Sequence, residues 1–204
     1  MEPAEQIAEA RDTADENFKN RAALSIAFMA TLLAITSLGG GNAAEDMANN
    51  NIHASDTWAF YQAKSIRQTS LRVAADGLEA DLLANRNMPP EAREFMQKKL
   101  EGYRATAARY EDEPDKDDPG DPLKGEGRKQ LTARAKDYEA RREEAAKQDP
   151  NFDFAEALFQ IAIVLASVAI LAGSRIVLRV SFVACAAAAL LMLNGYFLFL
   201  PNLL

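Results

Sequence analysis

The side chains best suited to chemistry in this chain are acidic. The stretch DKDDPGDPLKGE, residues 115–126, overlays a twelve-residue calcium loop, with Asp115, Asp117, Gly120 and Glu126 at positions one, three, six and twelve. Pro119 occupies position five, where an oxygen ligand is needed, and Pro122 occupies position eight. The stretch therefore reads as an acidic, Pro/Gly-rich connector, and no metal is expected. His53 is the only histidine, and the only cysteine, Cys185, is far from it in the chain. A zinc set cannot be completed from these. Ser65 and Ser70 have no histidine base at helical spacing, and no Gly-rich loop follows a strand. No catalytic residue and no cofactor can be named, so a non-enzymatic role is expected.

Two other groups suit interaction rather than catalysis. WAFYQAKSIRQ, residues 58–68, gathers Trp58 and Tyr61 beside Lys64 and Arg67, a possible docking patch; the competing reading packs these rings against Tyr103 and Tyr110. In NFDFAEALFQIAIVLASVAILAGSR, residues 151–175, Asp153, Glu156 and Gln160 are three and four apart and share one helix face at the head of an apolar run. Carboxylates there meet the positive end of a helix dipole. Gln160 lies a turn further in and needs a partner. Asn194 is the most polar residue of the last apolar run.

The elements that position these residues follow from segregation of charge and hydropathy. Of 204 residues, 49% are hydrophobic and 26% charged, with a net charge of −7 that argues against nucleic-acid binding. The long apolar runs at 22–38, 154–174 and 176–200 all fall within the range of about 17–25 residues that crosses a ~30 Å hydrocarbon layer, the first at its short end. The fold expected is an all-α membrane protein. It has a polar tail (1–21), three transmembrane helices, and a helical-hairpin domain (39–153, acidic linker 111–127) between the first two spans. The acids of the tail argue against a cleaved signal peptide. Lys19 and Arg21 before span one, and Arg175 and Arg179 at the junction of spans two and three, place these ends in the cytoplasm of a bacterial inner membrane and the hairpin in the periplasm.

Gly39–Gly41 reads as a break between span and hairpin. Beyond it, 43–86 has no proline and helix-favouring composition. Stepping by seven from Ile52 gives Ile52, Ala59, Ile66, Val73 and Ala80, all apolar, whereas the positions three further on are mostly polar, a weak coiled-coil seam. Pro89 and Pro90 mark a turn. Helices of about 23 residues each, near 90–112 and 126–149, return about 69 Å against about 66 Å outward. An antiparallel hairpin buries the narrow stripe of each arm.

Small residues recur at four-residue spacing in the later spans: Ala162 and Ala166, Ala169 and Gly173, and Ser181, Cys185 and Ala189. Such rows allow close helix approach. Three stretches, NFKNRAALSIA (17–27), HASDTWAFYQAKSIRQ (53–68) and FDFAEALFQIAIVLASVAILAGSR (152–175), carry a resemblance to the bacterial membrane-protein family known as domain of unknown function 4337. The resemblance implies three spans with a helical domain between the first two, and implies no reaction. The acidic segment near 113–127 departs from the family's more continuous charged helix. The partners expected are the lipid bilayer, a second copy of the chain and an unidentified membrane protein. The function expected is a homo-oligomeric scaffold or interaction module, with an oligomeric ion-conducting pore or an accessory subunit of a membrane complex as alternatives.

Overall fold

A computed structural model describes the backbone over residues 3–200 and side chains over 13–200, so the first twelve side chains of the polar tail lie outside the described residues. Four helices follow one another: α1 (Pro3–Ala84), α2 (Pro90–Glu111), α3 (Arg128–Ala172) and α4 (Arg175–Phe197). No strand occurs among the described residues. Three of the helices, α1, α3 and α4, contain stretches long and apolar enough to cross a membrane.

Between Pro3 and Pro89 the sequence has no proline, and α1 runs unbroken through 82 residues. The break expected at Gly39–Gly41 does not occur. Glycine in a helix interior costs up to about 1 kcal/mol relative to alanine but does not prevent the turn from forming. The two proline-rich joints behave differently. Pro89 and Pro90 start α2 in the usual first-turn position, whereas Pro150 lies inside α3. Pro150 offers no backbone donor to the preceding turn; Asn151 Nδ2 donates to Lys147 O at 2.8 Å. The charged helix expected near 126–149 and the apolar run 154–174 are consequently one element.

The chain forms two compact units, residues 1–47 with 143–204 and residues 48–142. In the first, three rows are buried. The row on α1 is Ala22, Met29, Thr36 and Ala43, seven apart; that on α3 is Phe152, Ala155, Phe159, Ala162, Ala166 and Ala169; that on α4 is Ser181, Ala188 and Gly195, again seven apart. Gly173, at φ +60°, turns α3 into α4, and Ser174 Oγ caps α4 by accepting from Val177 N. A positive φ of that kind favours glycine. Large apolar side chains point outward, among them Leu171 at 88% exposure and Phe197 at 74%.

The second unit is the antiparallel hairpin. Gln68 and Glu79 of α1 bond Ala107 and Arg104 of α2, while Asn51 and Trp58 bond Arg142 and Glu139 of α3. Thus α3 covers the earlier part of this stretch of α1 and α2 the later part. The apolar core is thin: Ala54, Ala75, Leu100, Ala107, Leu131 and Ala135. The expected seam is reversed. Ile52, Ile66 and Val73 are 56%, 68% and 66% exposed, and Ala59 and Ala80 are exposed as well. Another seven-residue row, Ala54, Tyr61, Gln68 and Ala75, faces the returning helices.

Candidate interaction sites

The interior of the 48–142 unit is held by ions. Lys64, only 4% exposed, donates from Nζ to Glu113 Oε2 at 3.0 Å and to the carbonyl of Glu126. The rings of Phe60 and Tyr110 each lie 5.4 Å from the ammonium, a cation–π arrangement. One turn on, Arg128 Nη1 donates to Gln68 Oε1 at 2.6 Å and Glu111 Oε2 at 3.0 Å, and Nη2 donates to the Tyr61 hydroxyl at 2.6 Å. Gln68 Nε2 closes the set on Ala107 O and Glu111 Oε2. The hydrogen bond from Gln68 and the charges of Arg128, Arg72 and Lys129 hold the Glu111 carboxyl below its ordinary range, against a smaller opposing effect of burial.

This cluster also orders the acidic linker. Glu113 O accepts from the backbone of Glu126 at 2.9 Å and of Gly127 at 3.3 Å, closing the neck of the loop. Gly125 is at φ +94°, and a Cβ on Gly127 would collide with the Glu113 backbone, so both positions need glycine. Within the loop, Asp115 Oδ1 accepts from the amides of Asp117 and Asp118, and Asp121 Oδ1 accepts from Leu123 N. Asp118 pairs with Lys124 at 2.7 Å, which raises the lysine's affinity for its proton. Asp115, Asp118 and Asp121 are thus engaged by the loop itself. Among the described residues no group of three or more His, Cys, Asp and Glu side chains is placed to hold a metal.

The residues singled out for interaction separate. Trp58, Tyr61 and Lys64 engage their own unit: Trp58 Nε1 donates to Glu139 Oε1 at 2.8 Å and meets the Tyr61 ring edge-on at 5.5 Å. The partner of Trp58 is on α3 rather than Tyr103 or Tyr110 of α2. Arg67 is exposed. On α3, Asp153 and Gln160 are exposed and Glu156 is half-buried; Gln160 Nε2 reaches only Glu156 Oε1, at 3.3 Å.

Asn194 is fully buried. Its Nδ2 donates to Asn151 Oδ1 at 2.8 Å and Leu200 O at 3.1 Å, and its Oδ1 accepts from Leu200 N at 2.8 Å. Beside it Phe152 fills a space bounded by glycine on two helices. A Cβ on Gly39 would come within 2.6 Å of the Phe152 ring, and one on Gly195 within 2.8 Å. Tyr196 packs edge-on against Phe152 at 4.9 Å and donates its hydroxyl to Ile35 O at 3.0 Å. Gly39 is therefore a receptor for an aromatic ring, not a helix stop. Lower down, Ser181 Oγ donates to Ala162 O at 2.7 Å, joining α4 to α3.

The family model described as Domain of unknown function (DUF4337) matches residues 18–198. The chain belongs to this family. No curated protein and no solved structure matches it. In this DUF4337 chain the matched span covers the ionic cluster, the Phe152 seat and the Asn151–Asn194 pair alike. Sequence reasoning singled out Lys64 and Asn194 and passed over Gln68, Arg128, Asn151 and the packing of Phe152 against glycine. The glycines at 39 and 195 were the available signal for Phe152, because glycine inside an apolar helix is unfavourable unless another group needs the space.

Proposed function

We propose that this protein is a membrane-anchored, non-catalytic scaffold that self-associates through the outer face of α1 in the 48–142 unit. In this reading α1, α3 and α4 each cross the bacterial inner membrane, over 22–38, 154–174 and 176–200. Lys19, Arg21, Arg175 and Arg179 stay cytoplasmic, and the 48–142 unit is periplasmic. The outward display of large apolar residues in the first unit, with small residues inside, supports placement in hydrocarbon.

The observation that carries self-association is the exposed row Ile52, Ala59, Ile66, Val73 and Ala80. The positions four residues beyond each are Asp56, Ala63, Ser70, Gly77 and Ala84, all exposed and nearly all small. Alternating steps of four and three make a heptad seam, and the small members let a second helix of the same pitch come close. Copies inserted in one membrane in one orientation present this seam to each other in parallel. The partner in this reading is a second copy of the chain.

The test uses full-length protein in mild detergent, its mass measured by light scattering with chromatography. Wild type is expected to be an oligomer, and Ile66→Asp combined with Val73→Asp is expected to yield a monomer of unchanged helix content. A monomeric wild type, or an oligomer indifferent to both charges, overturns the reading. An ion-conducting oligomer is the second reading, favoured by Asp153, Glu156 and Gln160 lying along one accessible face of α3.

A further inference from the structure

The end of the first unit where α1 and α4 begin their apolar stretches has an unassigned cavity. It measures about 640 Å³ and is lined by Arg21 of α1 and by Arg175 and Arg179 of α4. Asn17 and Ser25 add polar groups, and no carboxylate lines it. Asp15 and Glu16 belong to the same stretch of α1 but are not part of its wall. Among the described residues none of the three guanidinium groups has an acid within ion-pair distance, in contrast to the neutralised cations of the 48–142 unit. Three like charges gathered around one hollow repel one another unless an anion joins them.

A second hollow, about 600 Å³, adjoins the first and shares Leu24, Ser25 and Phe182 with it. Its remaining wall is almost wholly apolar, including Phe28, Met29 and Cys185. Leu24 and Phe28 are 74% and 63% exposed. The two hollows together present a cationic head and an apolar trough that runs from it between the same two helices. A free inorganic anion would use only the head, and a neutral acyl chain only the trough.

We propose that this paired hollow binds an anionic phospholipid of the cytoplasmic leaflet, its phosphate held by Arg21, Arg175 and Arg179 and an acyl chain lying in the trough. The proposal rests on the membrane reading above. Guanidinium forks match phosphate oxygens in bidentate fashion, and basic pockets between membrane helices on this side of a bilayer select acidic head groups. The groups facing the phosphate come from both walls of the cavity, so binding would also tie the start of α4 to α1.

The experiment first asks whether full-length wild type stays in the membrane through alkaline carbonate extraction. Release would remove the membrane reading and the proposal with it. Protein purified in detergent is then titrated with phosphatidylglycerol, phosphatidylcholine and soluble glycerol 3-phosphate, and bound lipid is counted by native mass spectrometry. Phosphatidylglycerol should bind at one per chain and at least tenfold more tightly than either other probe, with the preference shrinking as salt rises. Arg21→Gln and Arg179→Gln should each lose at least fivefold in affinity. Lys19→Gln removes an exposed charge outside the cavity and should change it less than twofold. Circular dichroism checks that each variant keeps its helices. Equal binding of the two lipids, glycerol 3-phosphate binding as well as the lipid, or a loss with Lys19→Gln equal to that with Arg179→Gln each overturns the site while leaving the membrane reading intact.

Discussion

The two units differ in the polar groups they bury: ions in residues 48–142, and uncharged amides and hydroxyls in the other. In residues 48–142 the interior contains Lys64, Gln68 and Arg128, whose charges and amides are closed by Glu111, Glu113 and Tyr61. In the other unit the interior is mostly alanine, with Met29, Phe152 and Phe159, and its buried polar groups among the described residues are Thr36, Asn151, Ser181 and Asn194, none of them charged. In the 48–142 unit a thin apolar core closes over paired ions. In the other unit small residues allow close approach of backbones joined by a few cross-helix hydrogen bonds, the arrangement that the proposed membrane placement calls for, since apolar burial drives little in hydrocarbon.

The largest expected breach of this contrast is Lys64→Met. It removes the donor to Glu113 Oε2 and to the carbonyl of Glu126 in the closed neck of the acidic loop, leaving Glu113 only the longer, exposed pair with Arg109 at 3.6 Å. Removal of one member of a buried ion pair costs about 3–5 kcal/mol, and the partial exposure of Glu113 places this case nearer ~2–4 kcal/mol. Denaturant unfolding of the full chain, with proteolysis near Pro119 as a local readout, checks it. Retention of wild-type stability would mean that the ions are ornament to the apolar core.

The matching breach in the first unit is steric. Gly39→Leu drives a side chain into the Phe152 ring, an overpacking cost of about 1–3 kcal/mol. Phe152→Ala in the same chain should restore part of the loss, read as a melting temperature in detergent. Absence of that rescue would break the link between the glycine and the ring.

Much of the architecture was legible because it depends on local composition. The apolar runs, the proline joint at 89–90 and the antiparallel return can all be read without knowing a contact. What could not be read depended on residues remote in sequence. Gly39–Gly41 looks like a stop until Phe152 arrives from another helix. On α1, two rows repeat every seven residues, and apolarity favours Ile52, Ile66 and Val73 as the core. The row that is buried contains Tyr61 and Gln68, because Glu111 and Arg128 at the ends of the returning helices satisfy it. Trp58 and Lys64 were visible as a cluster, yet their partners Glu139, Glu113 and Glu126 lie beyond the turn at 85–89.

Gln160 tests the proposed self-association within the membrane. Among the described residues its amide reaches only Glu156, a long bond along its own helix, which leaves it open to a partner from a second copy under that proposal. Gln160→Leu should weaken the oligomer in detergent by about 0.6–1.7 kcal/mol. An unchanged oligomer, together with loss of a measurable cation current in liposomes on Glu156→Gln, would favour the pore reading over the scaffold.

The smallest expected effect sharpens the contrast by its sign. In the 48–142 unit Glu111 is held below its ordinary value of 4.5 by the Gln68 hydrogen bond and then by Arg128, and Asp112 below 3.8 by Gln130 and Lys129. Carboxyls with depressed folded-state values stabilise the fold above the unfolded value, and that stability is lost as pH falls through the folded one. In the other unit Asp149 is raised above 3.8, first by burial and then by the charge of Asp153. Its ionised form costs stability near neutrality, and acidification through the raised value removes that cost. On acidification, protection of amides around Asp149, corrected for the intrinsic exchange rate at each pH, should therefore rise slightly as pH falls through its raised value. Protection around Glu111 should fall only as pH drops below its unfolded value toward its depressed folded one, while the gain at Asp149 persists. Asp153→Asn should shrink the gain at Asp149 and leave the acid loss at Glu111 untouched. Protection that falls in both units together as the pH is first lowered would show that these carboxyls do not separate the units at all.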